Sequence, residues 1–246
     1  MLTLYHYWDS FCSFKVRLCL EEKGLRWHGE NINLMRFENL APRYLAVNPN
    51  GLVPTLVHDN RTIFESSIIN EYLDGVFPAL RLRPADEFDL ARMRYWVAIE
   101  EEQLFKAIRP ASLNLIMKTI FQRMTQQELD AHLARHPKQH LVGRLKKMFT
   151  EPVDHAAIDQ SRKTLRSVFE KMDRELAMQP WLAGATYSLA DIAAAPVIDR
   201  IRALQFSDLW QDLDALQYWI ARLSSRPAYE RAAPKEHMLE VSAAPS

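Results

Sequence analysis

Three short stretches carry residue types that can do chemistry. The first is Trp8-Asp9-Ser10-Phe11-Cys12-Ser13, where a strand pattern gives way to a helix pattern. A hydroxyl or thiol placed there sits beside backbone N–H groups that lack an intrahelical partner and beside the positive end of the helix dipole. Those surroundings stabilise an anion such as a thiolate. Read locally, Asp9 or Ser10 simply caps the helix and Cys12 is a small buried hydrophobe, and on local grounds that plainer reading is preferred. The second stretch is Asn48-Pro49-Asn50-Gly51-Leu52-Val53-Pro54-Thr55-Leu56. A proline entering a strand has no ladder N–H and belongs at a strand start or edge. A cis Val53–Pro54 bond would turn the backbone of Val53 outward to pair with an extended peptide, but an ordinary trans edge proline is the default. The third is Phe64-Glu65-Ser66-Ser67-Ile68. A carboxylate and a hydroxyl at a helix start can take the ammonium and carboxylate of an α-amino acid together, and the same pattern also suits a plain helix start.

The elements that must hold these stretches fall into two unlike halves. Residues 2–7 read as a strand, and Phe14, Leu18 and either Val16 or Leu20 recur at helical spacing until Gly24. Residues 26–32 read as a second strand, and Glu38 to Val47 as a short helix ended by the Asn48–Gly51 turn. Thr55–His58, Asp59-Asn60 and Arg61–Phe64 form a hairpin pattern. Ser66 to Val76 is a helix, giving the order βαβ then αββα. After the connector Arg81–Asp86 no strand is expected. Helices are expected over Glu87 to about Met117, Thr125–His136, 156–177, 189–204 and 212–224, with a loose tail from Ala232. Thr125-x-x-Glu128 and Ser188-x-x-Asp191 are capping boxes, the second flanked by Tyr187 and Ile192 as a hydrophobic staple. The expected organisation is an α/β unit over 1–80 and an all-helical unit over 87–246, with a long connection at 109–155. A sheet this small cannot bury much alone, so the helical half should complete its core.

Composition excludes several classes. Lys+Arg and Asp+Glu are each 31, and residues 1–80 carry seven basic and nine acidic side chains, so neither half has the basic excess of a nucleic-acid binder. Six glycines in 246 residues leave no P-loop and no G-x-G-x-x-G. No apolar run approaches the ~20 residues of a membrane span, and the first residues lack the pattern of a signal peptide. A soluble, cytoplasmic chain is expected. Seven residues of helix would separate Cys12 from Cys19 by ~10 Å, beyond disulfide reach. His132 and His136 are four apart without a third clustered ligand, so no metal is expected. Arg144, Lys146 and Lys147 read as a solvated face, and Tyr95, Trp96 and Phe105 as core.

Together these stretches resemble the glutathione transferase family over nearly the whole chain. The resemblance is carried by Ser10–Leu18 leading to Glu21-Glu22-Lys23-Gly24, by Asn48–Leu56, by Glu65-Ser66-Ser67-Ile68, and by Ser188-Leu189-Ala190-Asp191 and Arg226-Pro227-Ala228-Tyr229. It implies an α+β fold of two domains, thioredoxin-like then all-helical, and a homodimer. It implies glutathione as co-substrate and a small apolar or aromatic electrophile as second substrate. Leu52, Val53 and a cis Pro54 would meet the cysteinyl part of glutathione, Glu65 and Ser66 its γ-glutamyl end, and Asn39 its glycine end. Ungapped counting puts Ser10 where zeta-type enzymes have their catalytic serine. The β-aryl etherases of the family put a serine at Ser13, and Cys12 is similar to the cysteine-type enzymes. The order taken is Ser10, then Cys12 and Ser13. Leu82–Asp86, Met93-Arg94-x-Trp96 and Met124-Thr125-x-x-Glu128 resemble one β-etherase branch. Alternatives to conjugation are β-ether cleavage, thiol transfer through Cys12, and a non-catalytic binding protein.

Overall fold

Strand β1 (Leu2–His6) alternates buried and half-buried residues, which lets it sit at the centre of a sheet. The computed structural model describes residues 1–235 and gives that sheet the order β2–β1–β3–β4. β1 runs parallel to β2 (His28–Asn31) and antiparallel to β3 (Thr55–His58), so that Tyr5 lies opposite Glu30 on one side and Thr55 on the other. β3 turns into β4 (Arg61–Ile63) through Asp59 and Asn60, at φ 46° and 66°. Left-handed φ at both central residues is what a two-residue hairpin turn of the right twist needs.

Between β1 and β2 runs α1 (Phe11–Glu22), buried without interruption from Ser13 to Leu20. It packs against α3 (Ser66–Val76) of its own domain and against α10 (Leu189–Ala203) and α12 (Pro227–Ala232) of the helical domain. The helical half completes the core of the first half, as expected from the small sheet. This is the two-domain α+β fold, a thioredoxin-like domain followed by helices.

The expected single helix over Glu38–Val47 is broken. Two short 3-10 turns, Leu34–Arg36 and Glu38–Leu40, meet at Phe37 with φ 58°, and only Pro42–Leu45 is α-helical (α2). Ala41 is extended because the residue before a proline is pushed out of the helical region. The long helix continues past Met117. α4 (Glu87–Ile99), a π-helical turn Glu100–Leu104, α5 (Phe105–Ser112), a second π turn Leu113–Met117 and α6 (Lys118–Gln122) follow without a break.

The stretch 109–155 is largely helical, with α7 (Gln126–Ala134) and α8 (Val142–Thr150) in addition to the end of the long helix. These helices pack around Phe121, Leu129, Leu133 and Phe149 as a small second core that also takes in Met35 and Phe37. α9 (His155–Leu176) and α11 (Asp214–Ser224) complete the bundle. Both expected capping boxes are formed, Thr125 with Glu128 and Ser188 with Asp191. Asp191 is fully buried and accepts from the backbone N–H groups of Leu182 and Ser188 and from Trp219 Nε1. Of the tail expected to be loose, Ala232 is buried at the end of α12, and residues 236–246 lie outside the described residues. Among the described residues no helix is long and apolar enough to cross a membrane.

Candidate active site

The turn from β1 into α1 is held from below by two buried arginines. Arg17, fully buried, donates Nη1–H to Tyr7 O at 3.2 Å, Nη2–H to Trp8 O at 2.8 Å and Nε–H to Ala232 O at 2.9 Å. Arg200 donates to Asp9 O and to Asp9 Oδ1, both at 2.9 Å. The carbonyls of Tyr7, Trp8 and Asp9 are thereby tied down just before α1 begins. The N–H groups of Phe11 and Cys12 find no acceptor among the described residues. They form the positive end of the helix.

The three sulfur-contact candidates occupy different places on this turn. Ser10 caps α1, its Oγ accepting from Ser13 N–H at 3.2 Å, and is half-buried with its own hydroxyl proton still to donate. Ser13 is fully buried and its Oγ accepts from Tyr7 N–H at 3.3 Å, so it lies beneath the turn and away from the cleft. Cys12 is partly exposed and lies beside the Ser66 hydroxyl. Burial pushes the Cys12 thiol up, Lys15 and Ser66 pull it down, and Glu100 and Glu65 oppose them, with a net rise. A thiol held above its ordinary range stays protonated at neutral pH and is a poor nucleophile.

The loop entering β3 is prearranged from the side away from the cleft. Asn48 Nδ2 donates to Leu52 O and to Thr55 Oγ1, both at 2.9 Å, and the Tyr44 hydroxyl also donates to Leu52 O. Asn39 Nδ2 donates to Gly51 O at 2.8 Å, which makes Asn39 a brace of this loop. Gly51 has φ +65°, and a Cβ there would stand 3.0 Å from Asn39 O and Leu40 Cδ2. The Val53–Pro54 bond is cis. The N–H and C=O of Val53 are unbonded among the described residues. Leu52 is exposed and Val53 half-buried beside them.

At the start of α3, Glu65 is exposed and holds φ 63°, ψ 119°, while Ser66 is buried. A non-glycine residue in that region costs ~1–3 kcal/mol and is kept where it positions a group. Sequence reasoning missed a buried ion pair close by. Lys15 of α1 donates Nζ–H to Glu100 Oε2, both side chains being about 2% exposed or less. Burial raises the Glu100 carboxyl to about 7 against the pull of Lys15. Glu100 opens the first π turn, and the next residue, Glu101, accepts from the Ser67 hydroxyl of α3. The two contacts together tie the helical domain to α1 and to the first turn of α3. At the start of α1, the Phe11 ring centre lies 5.1 Å from that of Phe105 in α5.

No group of three or more His, Cys, Asp or Glu suited to a metal ion occurs among the described residues. His132 and His136 instead pack their rings against Phe37, at 4.9 and 4.7 Å. Lys146 and Lys147 pair with Asp130 and Glu151 on the surface.

A thioredoxin-like domain with a cis proline before its third strand, followed by an all-helical domain, defines a class of two-domain α+β proteins. Comparison with known proteins narrows the class. Residues 9–76 match the family model of the glutathione S-transferase N-terminal domain, and residues 114–227 that of the C-terminal domain. A zeta-class glutathione S-transferase of Euphorbia esula is 31% identical over 175 residues, covering 64% of this chain and 76% of the relative. Protein LigF of Sphingobium is 29% identical over 236 residues, 92% of this chain and 91% of LigF. The crystal structure of beta-etherase LigF superposes with TM-score 0.81 at 27% identity, covering 94% of this chain and 98% of that one. Glutathione transferase F7 of Populus trichocarpa gives TM-score 0.76 at 25% identity, covering 94% and 97%. The chain belongs to the glutathione S-transferase family, whose enzymes use glutathione as co-substrate.

Proposed function

We propose that the chain binds glutathione along Val53, Glu65 and Ser66 and activates its thiol with the Ser10 hydroxyl for attack on a small aromatic electrophile. The observation that carries this is the N–H and C=O of Val53, unbonded among the described residues, together with a helix start at Glu65 and Ser66. Those two backbone groups suit the cysteinyl residue of an extended tripeptide. The Glu65 carboxylate suits an ammonium, and the Ser66 hydroxyl with the α3 N-terminus suits a carboxylate. Asn39 lies under the same loop, where the glycine end would fall. The sulfur then reaches the α1 turn, where Ser10 donates a hydrogen bond to it.

The energies suffice. A free thiol with a pKa near 8.5 is a few per cent thiolate at neutral pH, and lowering it by two units takes about 2.7 kcal/mol. A hydrogen bond to a charged partner supplies about 1.5–3 kcal/mol, and a helix N-terminus up to ~2 more. The thiol proton leaves to solvent and the thiolate attacks the electrophilic carbon. The leaving group departs with its bonding pair, and a thioether forms. Cys12, held protonated by burial, serves as a neighbour of the sulfur, and Ser13 supports the turn from within. Similarity to LigF along the whole chain favours an aryl ether as electrophile, with a phenolate leaving as the carbon–oxygen bond breaks.

The exposed apolar side chains Ile68 on α3 and Phe88 on α4, with Tyr95, which is exposed and not in the core as expected, support a homodimer through these helices. The proposed setting is cytoplasmic. Sedimentation should give twice the chain mass at micromolar concentration, and a monomer would contradict this. Calorimetric titration with glutathione tests the site: saturable binding should weaken about tenfold in Glu65→Ala through loss of one charge-assisted contact. Equal affinity in the variant would remove Glu65 from the site.

A further inference from the structure

The helical wall of the cleft carries one charged side chain that the glutathione site does not use. Phe105, Arg109, Leu113 and Met117 follow at four-residue spacing from α5 into the second π turn, which sets them along one side of the helix. Contacts fix both ends of this stripe. Phe105 meets Phe11, the first residue of α1. Leu113 and Met117 pack against the small second core of Phe121, Leu129, Leu133 and Phe149, which Met35 and Phe37 of the loop after β2 also cover. Arg109 stands between these two ends of the stripe.

Its guanidinium lies 5.6 Å from the centre of the Phe105 ring and is exposed. Among the described residues no carboxylate pairs with it, although Lys106 and Arg92 on the same long helix are both paired. A planar cation over the Phe105 ring, which itself meets Phe11, on an otherwise apolar stripe, matches a flat ligand with a negative edge. The guanidinium fork donates two parallel N–H bonds to such an oxygen pair, which an ammonium cannot do.

We propose that Arg109 is the specificity-determining residue of the electrophile half of the cleft, and that the preferred substrate is an aromatic electrophile bearing an anionic oxygen group. Its ring lies along Phe11 and Phe105, and its carboxylate or similar group meets Arg109. The proposal rests on the glutathione-site reading above. A solvated arginine that merely covers Phe105 would confer no such preference.

Calorimetry on the wild type, Arg109→Met and Arg109→Lys separates the readings, with glutathione, S-(dinitrophenyl)glutathione and its ring-carboxylated counterpart as ligands. Arg109 is on the surface, so its replacement leaves the fold intact. Arg109→Met should bind the carboxylated conjugate about ten- to a hundredfold more weakly, with the neutral conjugate and glutathione unchanged. Arg109→Lys should recover part of that loss. Equal weakening of both conjugates, or no weakening of the carboxylated one, would overturn the role of Arg109. If the wild type binds neither glutathione nor either conjugate, the glutathione-site reading fails, and this proposal with it.

Discussion

Replacing Ser10 with alanine removes one hydroxyl from the start of α1 and acts on two separable quantities. The Oγ accepts from Ser13 N–H at 3.2 Å, so its loss weakens the helix cap by about 1 kcal/mol. The same oxygen, in the proposed complex, donates to the glutathione sulfur. Losing that donor should raise the pKa of bound glutathione by one to two units, about 1.4–2.7 kcal/mol. Conjugation at pH values below both pKa values should then fall about ten- to a hundredfold and recover in part as the pH is raised. Ser10→Gly separates the effects, because glycine at an N-cap costs only a few tenths of a kcal/mol yet also lacks the hydroxyl. Thiolate absorbance of the bound tripeptide, titrated in the wild type and both variants, reads the pKa directly. Cys12→Ser should leave it nearly unchanged, since burial already holds the Cys12 thiol above its ordinary range. An unshifted pKa in both Ser10 variants, with a shift in Cys12→Ser, would refute the reasoning and move the enzyme to thiol-exchange chemistry.

Two further variants, one single and one double, test the supports. Arg17→Met leaves the carbonyls of Tyr7, Trp8 and Ala232 without their donor and should destabilise the protein by about 3–5 kcal/mol, read as a drop in melting temperature of about 6–20 °C. An unchanged melting temperature would mean that the turn holds itself. The Lys15–Glu100 pair predicts a pH dependence. Glu100 is raised to about 7 in the fold and titrates near 4.3 when unfolded, so the native state binds the extra proton between those values. Its contribution is fullest at low pH and is lost as the pH rises through 7, by at most roughly 3 kcal/mol. Denaturant melts of a Lys15→Met, Glu100→Gln double variant should therefore lose less stability between pH 5 and 8 than the wild type, and parallel profiles would contradict the assignment.

Much of the frame was legible because local chemistry and tertiary need agree there. Ser66–Val76 begins where a strand pattern stops and helical spacing starts, and both capping boxes formed because each answers free N–H groups within its own turn. The Asp59-Asn60 turn was legible for the same reason. Where several short-range preferences compete, the reading failed. Phe37 and Pro42 break the stretch after β2, and nothing in the 3.6-residue period marks the two π turns or predicts α8. The deepest gap concerns Lys15, Arg17 and Glu100. Cations on a helix ordinarily face water, but α1 is buried all round from Ser13 to Leu20, so the apolar spacing of Phe14 and Leu18 does not reveal that Lys15 and Arg17 are buried too. Arg17 can be recognised only once the carbonyls it holds are in place, and those come from residues 7, 8 and 232.

The central claim is the position of the glutathione sulfur, and a crystal structure of the glutathione complex measures it directly. The cysteinyl backbone should pair with the N–H and C=O of Val53, and the sulfur should lie within hydrogen-bonding distance of Ser10 Oγ. A sulfur bonded to Cys12 Sγ, or a tripeptide lying away from Val53, would contradict it.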